Sequence, residues 1–194
     1  MLGGTEIVEK YYIVDRFTSL ACGNVISKDK DYSTCHFFPI QGHFKQAELE
    51  NLVEELFTDG LTNHGKRYFL DECLVIKTDQ GPAKAVPNTP AVELIVELVR
   101  RLEFPEALSR FEAVFAWKSI GEAQDFRNDY GQGKILLVEG EAAGKYDMNQ
   151  LYLGGTTVGS WLFARRYWSG VSGPTPRWEI LLKPPVKVLE ECDS

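Results

Sequence analysis

The sequence predicts an α+β domain, and three observations lead to that prediction. Segments rich in aromatic and β-branched residues, typical of strands, occur at 10–15, 111–118, 134–139 and 178–189. Apolar residues recur at helical spacing in two longer segments, 46–57 and 90–104. A length of 194 residues suits one domain with a substantial core. Strands and helices are therefore interspersed, with the longer helices in the N-terminal half.

The first half of the chain is predicted to hold strands, one amphipathic helix, an ambiguous segment and a loop. The ambiguous segment mixes aromatic, aliphatic and acidic residues, and the loop contains three prolines. In chain order these are a strand at 10–15 that ends at Arg16, a short strand at 35–40, a helix at 46–57 that Asp59-Gly60 ends, a strand or short helix at 68–77, and the loop at 78–90.

In the second half, two helix starts are marked by local signals. Thr89 and Pro90 suit the N-cap and the first helical position, and Ser119 with Glu122 three residues later fits a capping box. In chain order the predicted elements are a helix from Thr89 to Phe104-Pro105, a strand at 111–118, a short helix after Ser119, a buried strand at 134–139, a helical or irregular segment from Asp147, a helix at 158–168 and a loop at 169–176.

Charge and composition restrict the classes of function. The net charge of -7 argues against broad non-specific binding to nucleic acid or an anionic membrane, although it leaves room for a local basic groove. No apolar run approaches the roughly 20 residues of a membrane span. The first residues lack the basic start and apolar core of a signal peptide. We therefore expect a cytoplasmic protein that does not bind membranes.

The cysteines and histidines form no pattern typical of a metal site. No two cysteines have the spacing of a zinc motif, and no histidine pair complements them. We predict reduced, packing cysteines and no metal. The residues concerned are Cys22, Cys35, Cys73, Cys192, His36, His43 and His64.

The stretch 177–189 contains the most informative carboxylate of the chain, Glu179. Pro184-Pro185 cannot donate to a strand ladder and predicts two short strands hinged at the prolines. The two-residue period places Glu179 on the face of Leu181, with the other apolar neighbours on the opposite face. Glu179 therefore lies in a pocket wall, is buried at an energetic cost, or lies at a strand end facing water, and the pattern alone favours water.

This stretch resembles the C-terminal motif of mono-ADP-ribosyltransferases, where the catalytic Glu directly precedes a Val-Leu-Leu/Ile-Pro-Pro-like run. Here Glu179 precedes Ile180-Leu181-Leu182-Lys183-Pro184-Pro185. The order of a strand at 111–118, a short helix, a strand at 134–139 and a later Glu-containing strand is similar to the C-terminal half of that fold. The resemblance implies two small, roughly perpendicular, mostly antiparallel sheets around an NAD cleft, with flanking helices.

The chain also resembles an uncharacterised bacterial family with an ADP-ribosyltransferase-like domain. This second resemblance covers most of 10–189. The shared features are a helix with Glu97 and Arg101, Phe104-Pro105, Ser109-Arg110 before a Phe-rich strand, and Tyr167-Trp168-Ser169-Gly170 ahead of Trp178-Glu179.

The resemblance implies roles for individual residues, with Glu179 catalytic and NAD as substrate. Trp117 would pack on nicotinamide, and Ser119 is similar to the last Ser of the family's Ser-Thr-Ser pattern. Tyr12 lies on the strand that normally carries an Arg or His after a Tyr. Because that next position is Ile13, Arg16 or Arg110 would have to hold the pyrophosphate. From the residues alone, Trp117 is also a simple core aromatic, Arg110 can pair with Glu106 or Glu112, and Tyr167-Trp168 can pack the loop.

The implied function is transfer of ADP-ribose from NAD to a macromolecular acceptor, either protein or nucleic acid. A bacterial or phage toxin or effector, with a cognate antitoxin as a further partner, fits this function. Family members often carry Glu or Gln two positions before the catalytic Glu, but here that residue is Arg177, which suits a phosphate-bearing acceptor such as RNA or DNA or is solvated surface charge. NAD hydrolysis and a non-catalytic binding module on the same fold are the alternatives.

Overall fold

A computed structural model of the protein describes residues 9–16, 19–33, 35, 44–71, 89–130 and 133–192 and has an α+β fold, as predicted. In chain order its elements are β1 (Glu9–Asp15), β2 (Val25–Ile26), α1 (Gln46–Leu56), the short α2 (Asn63–Gly65), a π-helical turn (Lys66–Asp71), α3 (Thr89–Glu103), β3 (Val114–Ala116), α4 (Ile120–Tyr130), β4 (Lys134–Asp147), a 3-10 turn (Met148–Gln150), α5 (Thr157–Trp168) and β5 (Trp178–Glu191).

The described strands belong to one antiparallel sheet, with the long strands β4 and β5 at its centre. β1 pairs with the outer edge of β4. The free edge of β5 pairs first with β3 and then with β2. Backbone hydrogen bonds of 2.9 and 2.8 Å between Tyr12 and Trp117 also link β1 to β3. The two separate sheets that the resemblance implies are therefore not confirmed.

Strand β5 continues through the proline pair, so the prediction of two hinged strands is wrong. Lys183 lies opposite Glu141 of β4, whereas Lys187 lies opposite Glu139. Three residues of β5 thus face one residue of β4, and the two prolines fall within this bulge. A bulge interrupts the ladder locally, and this interruption accommodates residues without an N–H group.

Both faces of β5 are covered by apolar side chains. Leu181 packs with the core between α3 and α5, whereas Ile180 and Leu182 pack in the core on the other face of the sheet. The predicted alternation is therefore confirmed. Trp168 of α5 fixes the contact between the two helices, because its indole N–H donates to the carbonyl of Val96 on α3 at 2.9 Å.

Most of the other predicted elements are confirmed with shifted ends. In the capping box of α4, the backbone N–H of Ser119 donates to Glu122 at 2.9 Å, and the backbone N–H of Glu122 donates to the Ser119 hydroxyl at 3.3 Å. The strand expected at 111–118 is reduced to β3, and the ambiguous 68–77 begins in the π-helical turn. The strand at 35–40 and the loop at 78–90 lie almost entirely outside the described residues.

Three findings concern membranes, thiols and metals. Within the described ranges, no helix is long and apolar enough to cross a bilayer. Cys22 is an exposed free thiol, and Cys73 lies outside the described residues. In the same ranges, no group of three or more His, Cys, Asp or Glu side chains is placed to hold a metal ion.

Candidate functional site

A cavity of about 620 Å³ lies between the sheet and the helices α2, α3 and α4. This volume falls within the roughly 300–1,000 Å³ typical of small-molecule sites. Its wall combines apolar side chains with a few charged ones, and Glu93, Arg110 and Glu179 are the most deeply buried of the charged residues. Buried charges are rarely present without a role, so these three residues are candidates for ligand contacts.

Glu179 lies at the start of β5 and is only 3% exposed. The Tyr167 hydroxyl donates to its Oε1 at 2.6 Å, and the guanidinium of Arg110 donates to the same oxygen. No donor from the described part of the chain contacts Oε2. Among the described residues, the contacts of Glu179 therefore anchor Oε1 alone. The pocket-wall alternative is correct, and the prediction that Glu179 faces water is wrong.

Arg110 is the central cation of the site. Its Nε and Nη2 donate to the two carboxylate oxygens of Glu93 at 2.8 and 2.9 Å, a bidentate pair. Its Nη1 donates to the Tyr167 hydroxyl at 2.6 Å as well as to Glu179. The guanidinium also lies 4.5 Å from the ring centroid of Phe115. Arg110 therefore pairs with neither of the neighbouring acidic residues that the sequence suggested.

Two carboxylates share the single guanidinium, and their pKa values diverge. Burial by itself raises the pKa of Glu93, but the charge of Arg110 opposes burial, and the pKa is lowered to about 2. Burial raises the pKa of Glu179, an effect that Arg110 and Tyr167 oppose and Glu93 reinforces. Burial also raises the pKa of Tyr167 well above its usual value, so its hydroxyl remains a donor. Glu93 is thus the firmly held anion, and Glu179 is the carboxylate that more readily exchanges a proton.

A second buried glutamate, Glu97, fixes the segment that carries Arg110. The Ser109 hydroxyl donates to Glu97 at 2.9 Å. Arg100 donates to both Glu97 oxygens at 2.9 and 2.8 Å, and Arg101 donates to one of them at 2.7 Å. The residue before Arg110 is thereby tied to α3, the helix that also carries Glu93. Glu97 and Arg101, which carry part of the second resemblance, therefore fix the segment before Arg110 to α3.

His64 enters the cavity wall from α2. The Thr62 hydroxyl accepts a hydrogen bond from the Gly65 N–H at 3.4 Å and lies 3.0 Å from the carbonyl of Ala113. A Cβ atom at Gly65 would overlap the carbonyl oxygen of Phe111, so only glycine allows this close approach. Burial lowers the pKa of His64, and its Nε2 lies 3.6 Å from Glu93, which is too long for a hydrogen bond. His64 is therefore a neutral neighbour of Glu93.

Arg16 and Arg67 supply positive charge elsewhere in the cavity wall. The Nη1 of Arg16 donates to the Tyr68 hydroxyl at 3.1 Å, and the Arg67 guanidinium lies 5.4 Å from the Tyr68 ring centroid. Both guanidinium groups therefore lie next to the Tyr68 side chain. This arrangement suits an anionic group, because guanidinium groups bind phosphate oxygens in a fixed geometry.

A row of aromatic rings lines another part of the cavity. Trp117 contacts Phe126 with ring centroids 4.4 Å apart, and Phe126 stacks on Tyr130 at 4.8 Å. Trp117 is only 4% exposed, whereas Tyr130 is 49% exposed. Trp117 therefore packs mainly in the core, and Tyr130 offers the larger surface to a planar ligand.

Two of the residues proposed from the resemblance do not line the cavity. Tyr12 lies on β1 and packs beside Trp117 and Val14. Ser119 is exposed and caps α4. The structure thus brings Glu179 and Arg110 into direct contact and places Arg16 and Trp117 in the same cavity wall, while Tyr12 and Ser119 lie outside that wall.

Asp147, at the end of β4, fixes the loop that precedes Glu179. It is 1% exposed, and its carboxylate accepts backbone N–H groups from Gly173 at 2.8 Å and Arg177 at 2.9 Å. It also accepts hydrogen bonds from the Asn149 backbone and the Gln150 side chain. Burial works to raise the pKa of Asp147, but these backbone N–H groups lower it on balance. Asp147 therefore anchors the start of β5.

We expect Asp147→Ala to reduce the free energy of unfolding by about 2–3 kcal/mol, because several backbone N–H groups lose their acceptor. The lowered pKa means that the stabilisation is present above the usual Asp pKa and is lost as pH falls. The difference from the wild type, measured by urea unfolding, should therefore shrink between pH 7 and pH 3. Asp129→Ala, which removes an exposed carboxylate, is the control. A constant difference across this pH range would contradict the role of the Asp147 charge.

Sequence reasoning missed five residues of the site, which are Glu93, His64, Arg67, Tyr68 and Tyr167. One signal was present in the sequence. Glu93 falls three residues before Val96 and four before Glu97, so it shares the buried face of a strongly apolar helix. The other four residues carry no comparable local signal.

Comparisons with known proteins give the family but no activity. A protein family described as "Protein of unknown function (DUF2441)" matches residues 11–194. No curated protein matches the chain. The matched range contains every residue of the site described above, from Arg16 to Glu179. The chain therefore belongs to the DUF2441 family.

Proposed function

We propose that the protein is a mono-ADP-ribosyltransferase that cleaves NAD and transfers ADP-ribose to a macromolecular acceptor. The observation that carries the proposal is the position of Glu179, which the resemblance marks as catalytic. It lies in the wall of a cavity of ligand size, with Oε1 anchored by Arg110 and Tyr167. The order β3, α4, β4 and then the Glu179 strand supports an ADP-ribosyltransferase-like fold as part of this proposal.

The chemistry of the cavity wall suits the parts of NAD. Arg16 and Arg67 can neutralise a pyrophosphate, and the rings of Phe126 and Tyr130 can stack on a planar base. The buried carboxylate of Glu179 suits a ribose hydroxyl, because a charged acceptor forms a strong hydrogen bond. Each of these groups has a chemically matched partner in the dinucleotide.

In the proposed reaction, the bond between ribose C1′ and the nicotinamide nitrogen breaks, and its electron pair leaves with nicotinamide. Positive charge develops on the ribose. Oε2 of Glu179 accepts a hydrogen bond from the ribose 2′-hydroxyl and stabilises that charge, an electrostatic effect commonly worth ~3 kcal/mol. The nucleophilic atom of the acceptor then bonds to C1′ and releases its proton.

The acceptor is the open part of the proposal. Arg177, two residues before Glu179, forms an ion pair with Asp129 at 2.7 Å and lies 5.6 Å from the ring centroid of Tyr130. Because its charge is already partly neutralised by Asp129, Arg177 favours neither nucleic acid nor protein strongly. Transfer to water, which is NAD hydrolysis, and ligand binding without turnover are the alternative functions. A role as a toxin or effector with a cognate antitoxin belongs to the same proposal.

We expect Arg16→Ala to weaken NAD binding, because a guanidinium in contact with a phosphate contributes a charge-assisted hydrogen bond. Loss of one such bond corresponds to a rise of about tenfold to a hundredfold in the Kd for NAD. Isothermal calorimetry with the full chain measures this change. Arg165→Ala, which removes an Arg paired with Glu103 on the surface, should leave the Kd unchanged. An unchanged Kd in Arg16→Ala would remove Arg16 from the NAD site.

Incubation of the purified protein with NAD labelled in the adenosine half and a bacterial lysate tests the proposal. The protein and nucleic-acid fractions are separated afterwards, and free ADP-ribose is measured. Label in either fraction supports transfer and identifies the class of acceptor. Free ADP-ribose without labelled macromolecule supports hydrolysis instead. NAD left intact, with binding seen only by calorimetry, supports the non-catalytic alternative.

A further inference from the structure

We propose that Glu93 is a positioning residue that holds Arg110 in a two-point ion pair and so leaves the negative charge of Glu179 available to the bound ligand. This inference rests on the proposed function, in which Glu179 stabilises positive charge on the ribose. It assigns a role to a residue on a different helix that does not itself contact the reacting atoms.

The geometry around Arg110 supports this role. The Nε and Nη2 atoms both point to Glu93, at 2.8 and 2.9 Å, and only Nη1 reaches Glu179 and Tyr167. A guanidinium forms its strongest pair when two N–H groups meet two carboxylate oxygens. Glu93 forms this bidentate pair with Arg110. Arg110 contacts Glu179 only through Nη1 and Oε1, and no donor from the described residues contacts Oε2.

The charge balance leads to the same conclusion. Arg110 and Glu93 are 4% and 3% exposed, so solvent screens their interaction very little. With both carboxylates ionised, the cluster carries one uncompensated negative charge. Without the charge of Glu93, Arg110 would neutralise Glu179 completely. A neutralised Glu179 could still accept a hydrogen bond, but it would stabilise a developing positive charge poorly.

Within the described ranges, the ionisable groups around Glu179 come from five segments. Arg110 approaches from the segment before β3, Tyr167 from α5 and Glu93 from α3. His64 on α2 contacts Glu93, and Tyr146 lies opposite Glu179 on β4. Of these groups, Glu93 is the one that adds a second negative charge. Its removal should therefore make Glu179 easier to ionise.

The direct test is a carboxyl titration by ¹³C NMR on the full chain labelled at glutamate side chains. The resonance of Glu179 is assigned by its absence in Glu179→Gln. In Glu93→Gln we expect the titration midpoint of Glu179 to fall by about one to two pH units, because a like charge is lost. An unchanged or higher midpoint in folded Glu93→Gln would overturn the inference.

Glu103→Gln is the matched control for this titration. Glu103 lies on the same helix and also pairs with an Arg, at 2.6 Å from Arg165. It is ten residues beyond Glu93, which corresponds to about 15 Å along a helix. The Glu179 midpoint should not move in this variant. If Glu93→Gln does not fold, Glu93→Met, which also removes the charge from a side chain of similar length, should show the same fall, and an unchanged midpoint there would equally overturn the inference.

Enzyme kinetics provide a second test, because a purely structural role of Glu93 would not change kcat and the pH profile in the way described next. In Glu93→Gln we expect the kcat of nicotinamide release to fall about tenfold to a hundredfold, while the KM for NAD changes little. The acid limb of the kcat profile should move to lower pH together with the Glu179 midpoint. If the wild type releases no nicotinamide, the proposed function fails, whereas the NMR titration still decides the role of Glu93.

Discussion

Glu179→Gln is expected to lower ADP-ribosyl transfer by about 10²- to 10³-fold while the protein stays folded. Gln keeps the size of the side chain and an oxygen for the anchoring hydrogen bonds from Arg110 and Tyr167. It removes the negative charge that the oxocarbenium-like transition state requires. Because burial already raises the pKa of Glu179, a neutral side chain at this position should cost little stability.

The measurement is label transfer from NAD, run beside circular dichroism and thermal unfolding of the same samples. Glu190→Gln is the control, since Glu190 is an exposed carboxylate on the same strand. That variant should keep wild-type transfer. Transfer by Glu179→Gln at the wild-type rate would remove Glu179 from the catalytic role.

Arg110→Met is expected to cause the largest loss of stability, about 3–5 kcal/mol in the free energy of unfolding. Met fills a similar volume but leaves Glu93 and Glu179 buried without their shared cation. Two uncompensated carboxylates in a site of low polarity repel each other and lack solvation. The loss should diminish below the usual carboxylate pKa range, where protonation removes the repulsion.

Urea unfolding of the wild type and Arg110→Met at pH 7 and pH 4 measures this effect. Arg165→Met provides the comparison, because it breaks a solvent-screened ion pair on α5 that should contribute far less to stability. A loss of under 1 kcal/mol for Arg110→Met would show that the buried cluster does not depend on its cation. In that case the positioning role of Glu93 would also lose its basis.

Local patterns were sufficient to predict most elements of this fold. The capping box at Ser119 and the alternation around Glu179 involve residues within a few positions of each other. Such signals determine the local backbone conformation, and this effect does not require contacts with distant residues. The helices α1, α3 and α5 were likewise predicted from local sequence. The prediction that Glu179 lies in a cavity wall depended on the resemblance, because the pattern alone favoured water.

The site itself depends on contacts that no local pattern encodes. Arg110 pairs with Glu93, 17 residues before it, and with Glu179, 69 residues after it. Nearby acidic residues offered simpler partners, but Glu112 instead pairs with Lys28 at 2.9 Å. The continuity of β5 through its prolines also depends on the partner strand, because the bulge forms against β4. Tertiary packing therefore decided which of several locally reasonable arrangements formed.

Release of nicotinamide from NAD by the purified wild-type protein, with and without lysate, tests the central claim most directly. Transfer and hydrolysis both require cleavage of the same glycosidic bond, so either activity gives this product. We predict that nicotinamide accumulates with the wild type and not with Glu179→Gln. If the wild type releases no nicotinamide under either condition, the enzyme assignment is contradicted, and the cavity is a binding site without turnover.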